Sequence, residues 1–144
     1  MKNATIKRTV SVCMSLLMLF LLNVSAFAAE PETTVEPRYA IFSLCSADLD
    51  ITRTVLGGKA SCSALAATTK SGYSTQVTAE LQKLDGTWKY VTSWTASGSY
   101  EAEVDEIHYV ASGNTYRVKA TAKVYDANGV LRETATTYSE EVNY

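Results

Sequence analysis

Two cysteines, Cys45 and Cys62, are the residues most able to do chemistry in this chain of 144 residues. Thiols at this spacing could hold a metal, exchange electrons or join two strands. A structural zinc site needs four ligands, but the chain beyond residue 28 adds only His108 to these thiols. A redox pair has the spacing C-x-x-C, which this pair lacks. We therefore predict a structural disulfide between Cys45 and Cys62.

The acid–base residues form no recognisable catalytic motif. Any Ser-His or Cys-His nucleophile would have to use His108, the only histidine, and no G-x-S-x-G elbow occurs. We expect His108 at the end of a strand beside polar groups. Glu101, Glu103 and Asp105 alternate along one segment, so they share the outward face of a strand as ordinary solvated carboxylates. We predict that the protein is not an enzyme.

Two further groups of oxygen-bearing side chains could ligate calcium weakly, namely Asp48 with Asp50 and Asp126 with Asn128. Neither matches the spacing of an EF-hand loop, and turn chemistry explains Asp126 and Asn128 more simply. We predict no metal, no cofactor and no catalytic residue. The alternative is a small secreted hydrolase or protein inhibitor whose site no motif marks.

The first 28 residues are typical of a secretory signal peptide. A basic start is followed by the apolar run 16–22 and by small residues before a predicted cleavage between Ala28 and Ala29. The run is too short to span a membrane, although the wider region 10–29 would suit an uncleaved anchor, which is the alternative. We predict a secreted, extracellular protein that meets the membrane only through this peptide before cleavage.

The segments that follow have two compositions. Residues 29–38 contain both prolines and three glutamates, which is typical of a solvated tether, and residues 39–144 form one domain. The mature chain carries 10 basic and 15 acidic residues, so its net charge is 10 − 15 = −5. This charge argues against a nucleic-acid partner. Export also places both thiols in a compartment where disulfides persist.

The strands that would position these residues follow from alternation with a period of two. Absence of proline beyond residue 38 and abundant Thr, Val and Tyr favour a β domain. Seven strands are predicted, at roughly 40–51, 59–69, 73–84, 87–95, 99–110, 114–125 and 130–142.

The turns between these segments predict particular registers. Asp85-Gly86 is a hairpin turn, and pairing about it places Tyr90 and Trp94 on the inner face with Val77, with Trp88 near the rim of that face. A second hairpin turns at 126–129. The apolar residues of the last strand do not all share one parity, and a bulge near this turn would place them on the same face. In the fifth strand we expect a parity break at Asp105 and Glu106.

The first hairpin is predicted to join the cysteines. Placing Cys45 opposite Cys62 keeps Ala47, Leu49 and Ile51 on the inner side, and directly opposed residues are close enough to bridge. Closing this loop would contribute about 3 kcal/mol in the chain-entropy model. Gly57 and the glycine after it would serve the turn.

Seven short strands, two tight hairpins, Trp88, and Tyr116 near the start of the sixth strand resemble the immunoglobulin or fibronectin type III layout. The resemblance implies an all-β, seven-stranded antiparallel sandwich with Tyr116 as a corner tyrosine. A bridge between the first two strands departs from antibody domains, which link the second and sixth. The chain also resembles small secreted bacterial proteins with one such module, and the resemblance implies no particular activity.

The aromatic residues offer a second functional hypothesis, an extracellular module that binds a protein or glycan. Alternation predicts some of them in the core, namely Trp94, Tyr90, Tyr116 and Tyr73. Others are predicted to be exposed, namely Tyr39, Tyr109, Tyr125 and Tyr144. A contiguous exposed aromatic patch would favour binding, whereas a cleft that gathers His108 with a carboxylate would favour catalysis.

Overall fold

Residues 39–144 are described by a computed structural model, and they form eight β-strands and no helix. The strands are β1 (Phe42–Thr54), β2 (Gly57–Thr68), β3 (Ser74–Asp85), β4 (Thr87–Ser99), β5 (Glu101–Val110), β6 (Thr115–Tyr125), β7 (Leu131–Tyr138) and β8 (Val142–Asn143). Within these residues there is thus no helix that could cross a membrane. The predicted signal peptide, the cleavage between Ala28 and Ala29 and the tether 29–38 lie outside the described residues.

The strands form two antiparallel sheets, which confirms the all-β prediction. One sheet has three strands in the order β1-β2-β5. The other has five, in the order β4-β3-β6-β7, with β8 also paired to β6. The inner faces of the two sheets enclose one hydrophobic core, as expected of two packed layers that each bury one face.

The inner faces are built by strict alternation in the central strands. In β2, β3 and β6, buried residues recur at every second position through most of each strand, because successive side chains of a strand point to opposite faces. Leu81, Val77 and Val118 are the largest fully buried side chains. Tyr116 is only 3% exposed, and its hydroxyl donates to the carbonyl of Ala111 at 2.9 Å. The predicted inward position of Tyr116 is therefore confirmed.

The last predicted strand is divided in two at Ser139. The Ser139 hydroxyl accepts the backbone N–H of Val118 at 2.8 Å, and the Ser139 N–H donates to the Val118 carbonyl at 2.9 Å. A side chain thus takes the place of one backbone group in the ladder, and β7 ends there. The bulge predicted near the turn is confirmed, since the register shifts between Val124 and Tyr125 of β6.

The predicted register of the first hairpin is wrong. Cys45 lies opposite Ala66, and Cys62 lies opposite Leu49. The two cysteines are therefore offset by four residues, or about 13 Å along the strands, whereas the Cα atoms of a disulfide lie within about 7 Å of each other. Both cysteines are free thiols. The predicted Cys45–Cys62 disulfide is absent, because the sheet holds the two residues too far apart.

The turn of this hairpin explains the difference. Thr54 pairs with Gly57, so Val55 and Leu56 form the tip and the glycines belong to β2. A Cβ at Gly58 would lie 2.6 Å from the Tyr144 ring, closer than packed side chains allow. Gly58 is therefore required by its close approach to Tyr144 and not by the turn. Because both glycines were assigned to the turn, the turn was predicted at the wrong position.

The predicted parity break in β5 is also wrong. β2 and β5 pair without interruption from Gly58 opposite Val110 to Ala67 opposite Glu101. Ala102, Val104 and Val110 are buried, and Glu106 occupies an inner position but is exposed. Because β5 is an edge strand, a charged side chain at an inner position can still reach water.

A carboxylate joins the start of β1 to β7 of the other sheet. The Glu133 side chain accepts the backbone N–H groups of Ala40, Ile41 and Phe42 at 2.9, 2.8 and 3.1 Å. Partial burial raises the pKa of Glu133, but these three donors outweigh it, so the net shift is downward. This contact fixes the point at which the chain enters the sandwich.

Candidate binding surface

The tryptophan and tyrosine at the start of β4 face outward, contrary to the prediction. The register between β3 and β4 shifts because Leu81 lies opposite Thr92 whereas Gln82 lies opposite Tyr90, which leaves Val91 as an extra residue. Such a bulge gives the residues before it the opposite parity from those after it. Tyr90 is 64% exposed, and Trp88 lies on the same outer side.

The remaining aromatic predictions have mixed outcomes. Tyr73 and Trp94 pack against the core as predicted. Tyr109 is exposed as predicted, but Tyr39 and Tyr144 are half-buried against the core. The fourth tyrosine predicted to be exposed, Tyr125, is also half-buried.

Arg117 of β6 lies between two rings on the outer face of the five-stranded sheet. Its guanidinium carbon is 4.0 Å from the centre of the Trp88 ring and 4.2 Å from that of Tyr138. Tyr138, on β7, is 49% exposed. A guanidinium over aromatic faces is attracted by the ring quadrupole. The arginine therefore links β4 to β7 across the two strands between them.

An amide network lies beneath this stack. The Arg117 Nε donates to the Gln82 Oε1 at 2.8 Å, and the Gln82 Nε2 donates to the Glu80 Oε1 at 2.6 Å. Gln82 is on the outer face, yet it is only 7% exposed. The side chains above it thus form a continuous layer. We call the group Trp88, Tyr90, Arg117 and Tyr138 the aromatic face.

Alternation in the sequence did not predict this surface. It placed Tyr90 on the inner face and Trp88 near the rim of that face, which is wrong, and it predicted no role for Arg117 or Tyr138. Trp88 and Tyr90 share one parity, so a single extra residue moves both together. The signal in the sequence is Val91. It is an apolar residue at a position where alternation from Trp94 would place an outward, polar side chain.

The outer faces of the two sheets have opposite charge. The outward positions of β1, β2 and β5 carry five carboxylates and one amine, namely Asp48, Asp50, Glu101, Glu103, Asp105 and Lys59. The net charge of this face is therefore 1 − 5 = −4, and the predicted outward position of Glu101, Glu103 and Asp105 is confirmed. The outward positions of the five-stranded sheet carry Arg117, Lys119, Lys123 and Glu80, which gives 3 − 1 = +2.

His108 points toward the core side of β5 and packs against a ring. It is half-buried, and its ring centre lies 6.3 Å from that of Trp94 at an interplanar angle of 66°. Within residues 39–144, no carboxylate lies within 4 Å of its nitrogens. The structure thus brings His108 to an aromatic neighbour, not to the polar groups expected at a strand end.

The remaining candidate ligands are engaged in local structure. The Asp126 Oδ1 accepts the backbone N–H groups of Asn128 and Val130 at 2.9 and 3.1 Å, which is the turn chemistry predicted from the sequence. An open pocket of about 420 Å³ adjoins this turn, between Tyr73 and Tyr100. In residues 39–144, no three His, Cys, Asp or Glu side chains come together as metal ligands.

The two thiols differ in their surroundings. Burial raises the pKa of Cys62 to about 11, because a thiolate is poorly solvated in the core. Burial also raises the pKa of Cys45, which is only half-buried near the Tyr39 hydroxyl. Neither environment favours a nucleophilic thiolate.

Comparisons with known proteins assign no family. No family model matches the chain, and no curated protein matches it.

Proposed function

We propose that this protein is a secreted, non-catalytic binding module that holds an extracellular glycan on the aromatic face. The observation that carries the proposal is the fixed stack of Arg117 between Trp88 and Tyr138 on a solvent-exposed sheet. The immunoglobulin or fibronectin type III-like layout belongs to the same proposal. It is supported by the strand order β1-β2-β5 and β4-β3-β6-β7 and by the Tyr116 hydrogen bond to Ala111.

An exposed aromatic group of this kind needs an explanation. Large apolar side chains gain free energy when they leave water, so contiguous exposed aromatics mark an interaction site. Tyr90 and Tyr138 have about half or more of their surfaces exposed. The C–H groups on one side of a sugar ring form an apolar surface that packs against an aromatic ring. The hydroxyls at its edge can then bond to polar neighbours.

The position of the rings on the outer face of a sheet favours a glycan over a folded protein. Protein interfaces depend on anchors that fill desolvated pockets, whereas the aromatic face lies on a sheet with amide and charged groups among its rings. Arg117 restrains both rings before any ligand arrives, which lowers the entropy that binding must offset. The rings are therefore arranged to receive an extended chain.

Secretion and the tether are part of the proposal. The signal peptide 1–28, cleaved between Ala28 and Ala29, would export the chain, and the acidic segment 29–38 would separate the module from its surroundings. A non-catalytic role is supported by His108, whose neighbour is the Trp94 ring. We expect His108→Ala to leave glycan binding unchanged, and an activity abolished by that change would contradict the proposal.

Affinity electrophoresis through gels that contain neutral or carboxylated polysaccharides tests the proposal. We expect at least one polysaccharide to retard the wild-type protein and Trp88→Ala to remove about 1–3 kcal/mol of binding energy, the loss typical of an aromatic anchor. Tyr109→Ala is the matched control, since Tyr109 is an exposed aromatic on the other sheet. Equal retardation of both variants, or retardation by none of the gels, would refute the proposed site.

A further inference from the structure

We infer that the polymer bound by the aromatic face carries carboxylates, as in a polyuronate; this inference rests on the proposed function. The observation behind it is the row of cations on β6. Arg117, Lys119 and Lys123 share the outer face of that strand. Alternate residues of a strand lie about 7 Å apart, so the row extends about 20 Å from the ring stack.

The sign of the charge on this face opposes that of the rest of the protein. The outer face of the five-stranded sheet carries a net charge of +2, whereas the mature chain carries 10 − 15 = −5. A local positive potential on an acidic protein attracts anions to that face and repels them elsewhere. The face therefore selects both the ligand's charge and its docking position.

The cations of the row are only partly compensated within the protein. In residues 39–144 the one ion pair joins Arg132 to Asp126 at 3.8 Å, so no carboxylate lies within 4 Å of the three β6 cations. Glu80, the one carboxylate at an outward position of that sheet, lies opposite Lys119 but forms no ion pair with it within 4 Å, and its Oε1 accepts the Gln82 amide. The row is thus available to an external anion.

The arginine is suited to a carboxylate in particular. Its Nε donates to Gln82, and among the described residues no acceptor bonds its two terminal nitrogens. Two parallel N–H groups match the two oxygens of a carboxylate. A sugar ring that packs on Tyr90 or Tyr138 would bring a carboxylate on its edge toward this fork. The lysines would then meet charges farther along the chain.

A nucleic acid offers the main competing chemistry, since bases also stack on aromatic rings. A nucleic-acid strand carries one charge per about 3.4 Å, so the −4 face and the acidic remainder would repel it. A polyuronate has one charge per sugar and a wider spacing between charges. The geometry points to the polyuronate, the polymer with the wider spacing between charges.

Binding of polygalacturonate and of its fully methyl-esterified form tests the inference, because the two polymers share a backbone and differ in charge. We expect the acid form to bind at least tenfold more tightly at low salt, with an affinity that falls as salt is added. Lys119→Gln combined with Lys123→Gln should lower that affinity about tenfold. Lys59→Gln combined with Lys70→Gln, which changes the net charge equally away from the aromatic face, should lower it less than twofold.

Each outcome has a distinct meaning. Equal, salt-independent binding of both polymers that is lost in Trp88→Ala would overturn the carboxylate inference and leave the proposed function intact. Binding of neither polymer, with retention by a neutral glycan gel, would also overturn the inference alone. Tighter binding of a single-stranded oligonucleotide than of polygalacturonate would overturn it in favour of nucleic acid. Loss of affinity in the control pair equal to that in the β6 pair would show that the row has no special role.

Discussion

The outer faces of the two sheets follow the same alternating pattern, yet they differ in how their side chains interact. On the three-stranded sheet, carboxylates repeat along β1 and β5, and among residues 39–144 the exposed Ile107 and Tyr109 stack on no aromatic ring. On the five-stranded sheet, Arg117 binds two rings and an amide. Burial constrains only the inner positions of a strand. The outer positions are therefore free to differ, and their organisation carries the information about function.

The sharpest test of this difference removes one ring from each face. Trp88→Ala should lower the free energy of unfolding by about 2 kcal/mol, because it removes a stacked ring and exposes Gln82. Tyr109→Ala should change it by less than about 0.5 kcal/mol, as is usual for an isolated surface residue. Urea denaturation of both variants measures the difference. Equal losses would mean that the aromatic face is no better organised than the acidic one.

A second test concerns the contact that joins the sheets. Glu133→Gln should cost about 1 kcal/mol near neutral pH, because three backbone donors lose a charged acceptor. The folded state lowers the pKa of Glu133, so its contribution is present above the unfolded pKa and disappears as the pH falls through the lower, folded pKa. Thermal unfolding of the wild type and the variant should therefore converge in acid. A constant difference down to the lowest pH would contradict this account.

A smaller effect should distinguish the charges of the two faces. Asp105→Asn relieves repulsion on the acidic face and should stabilise the protein by about 0.3 kcal/mol at low salt. Glu80→Gln removes the one carboxylate among the cations and should destabilise it by a similar amount. Both effects should vanish in about 1 M salt, since the Debye length there is about 3 Å. Effects of the same sign, or effects that persist in salt, would contradict the assignment of charge to the faces.

The last test leaves stability unchanged and concerns the three-stranded sheet alone. Alkylation of the denatured, unreduced mature protein should add a label to both Cys45 and Cys62, because their offset prevents a bond. In the native protein Cys45 should react first, since Cys62 is fully buried and its pKa is raised to about 11. Mass spectrometry counts the labels, and a protein without alkylatable thiols would contradict the register described here.

The pattern of the chain determined much of this protein. Alternation identified the all-β class and the inward faces of the central strands, and Asp126 and Asn128 marked a turn that the structure contains. Tyr116 was correctly placed in the core. These predictions succeed because a strand with one buried face must repeat with a period of two, which a sequence displays directly.

The tertiary structure decided the register. A shift of four residues in the first hairpin leaves Cys45 and Cys62 on the inner face, so alternation cannot detect it. A single extra residue, Val91, turns Trp88 and Tyr90 outward. Whether a bulge forms depends on how both strands pack against the core and not on either pattern alone. The aromatic face exists because of that packing, and it could not be read from the order of the residues.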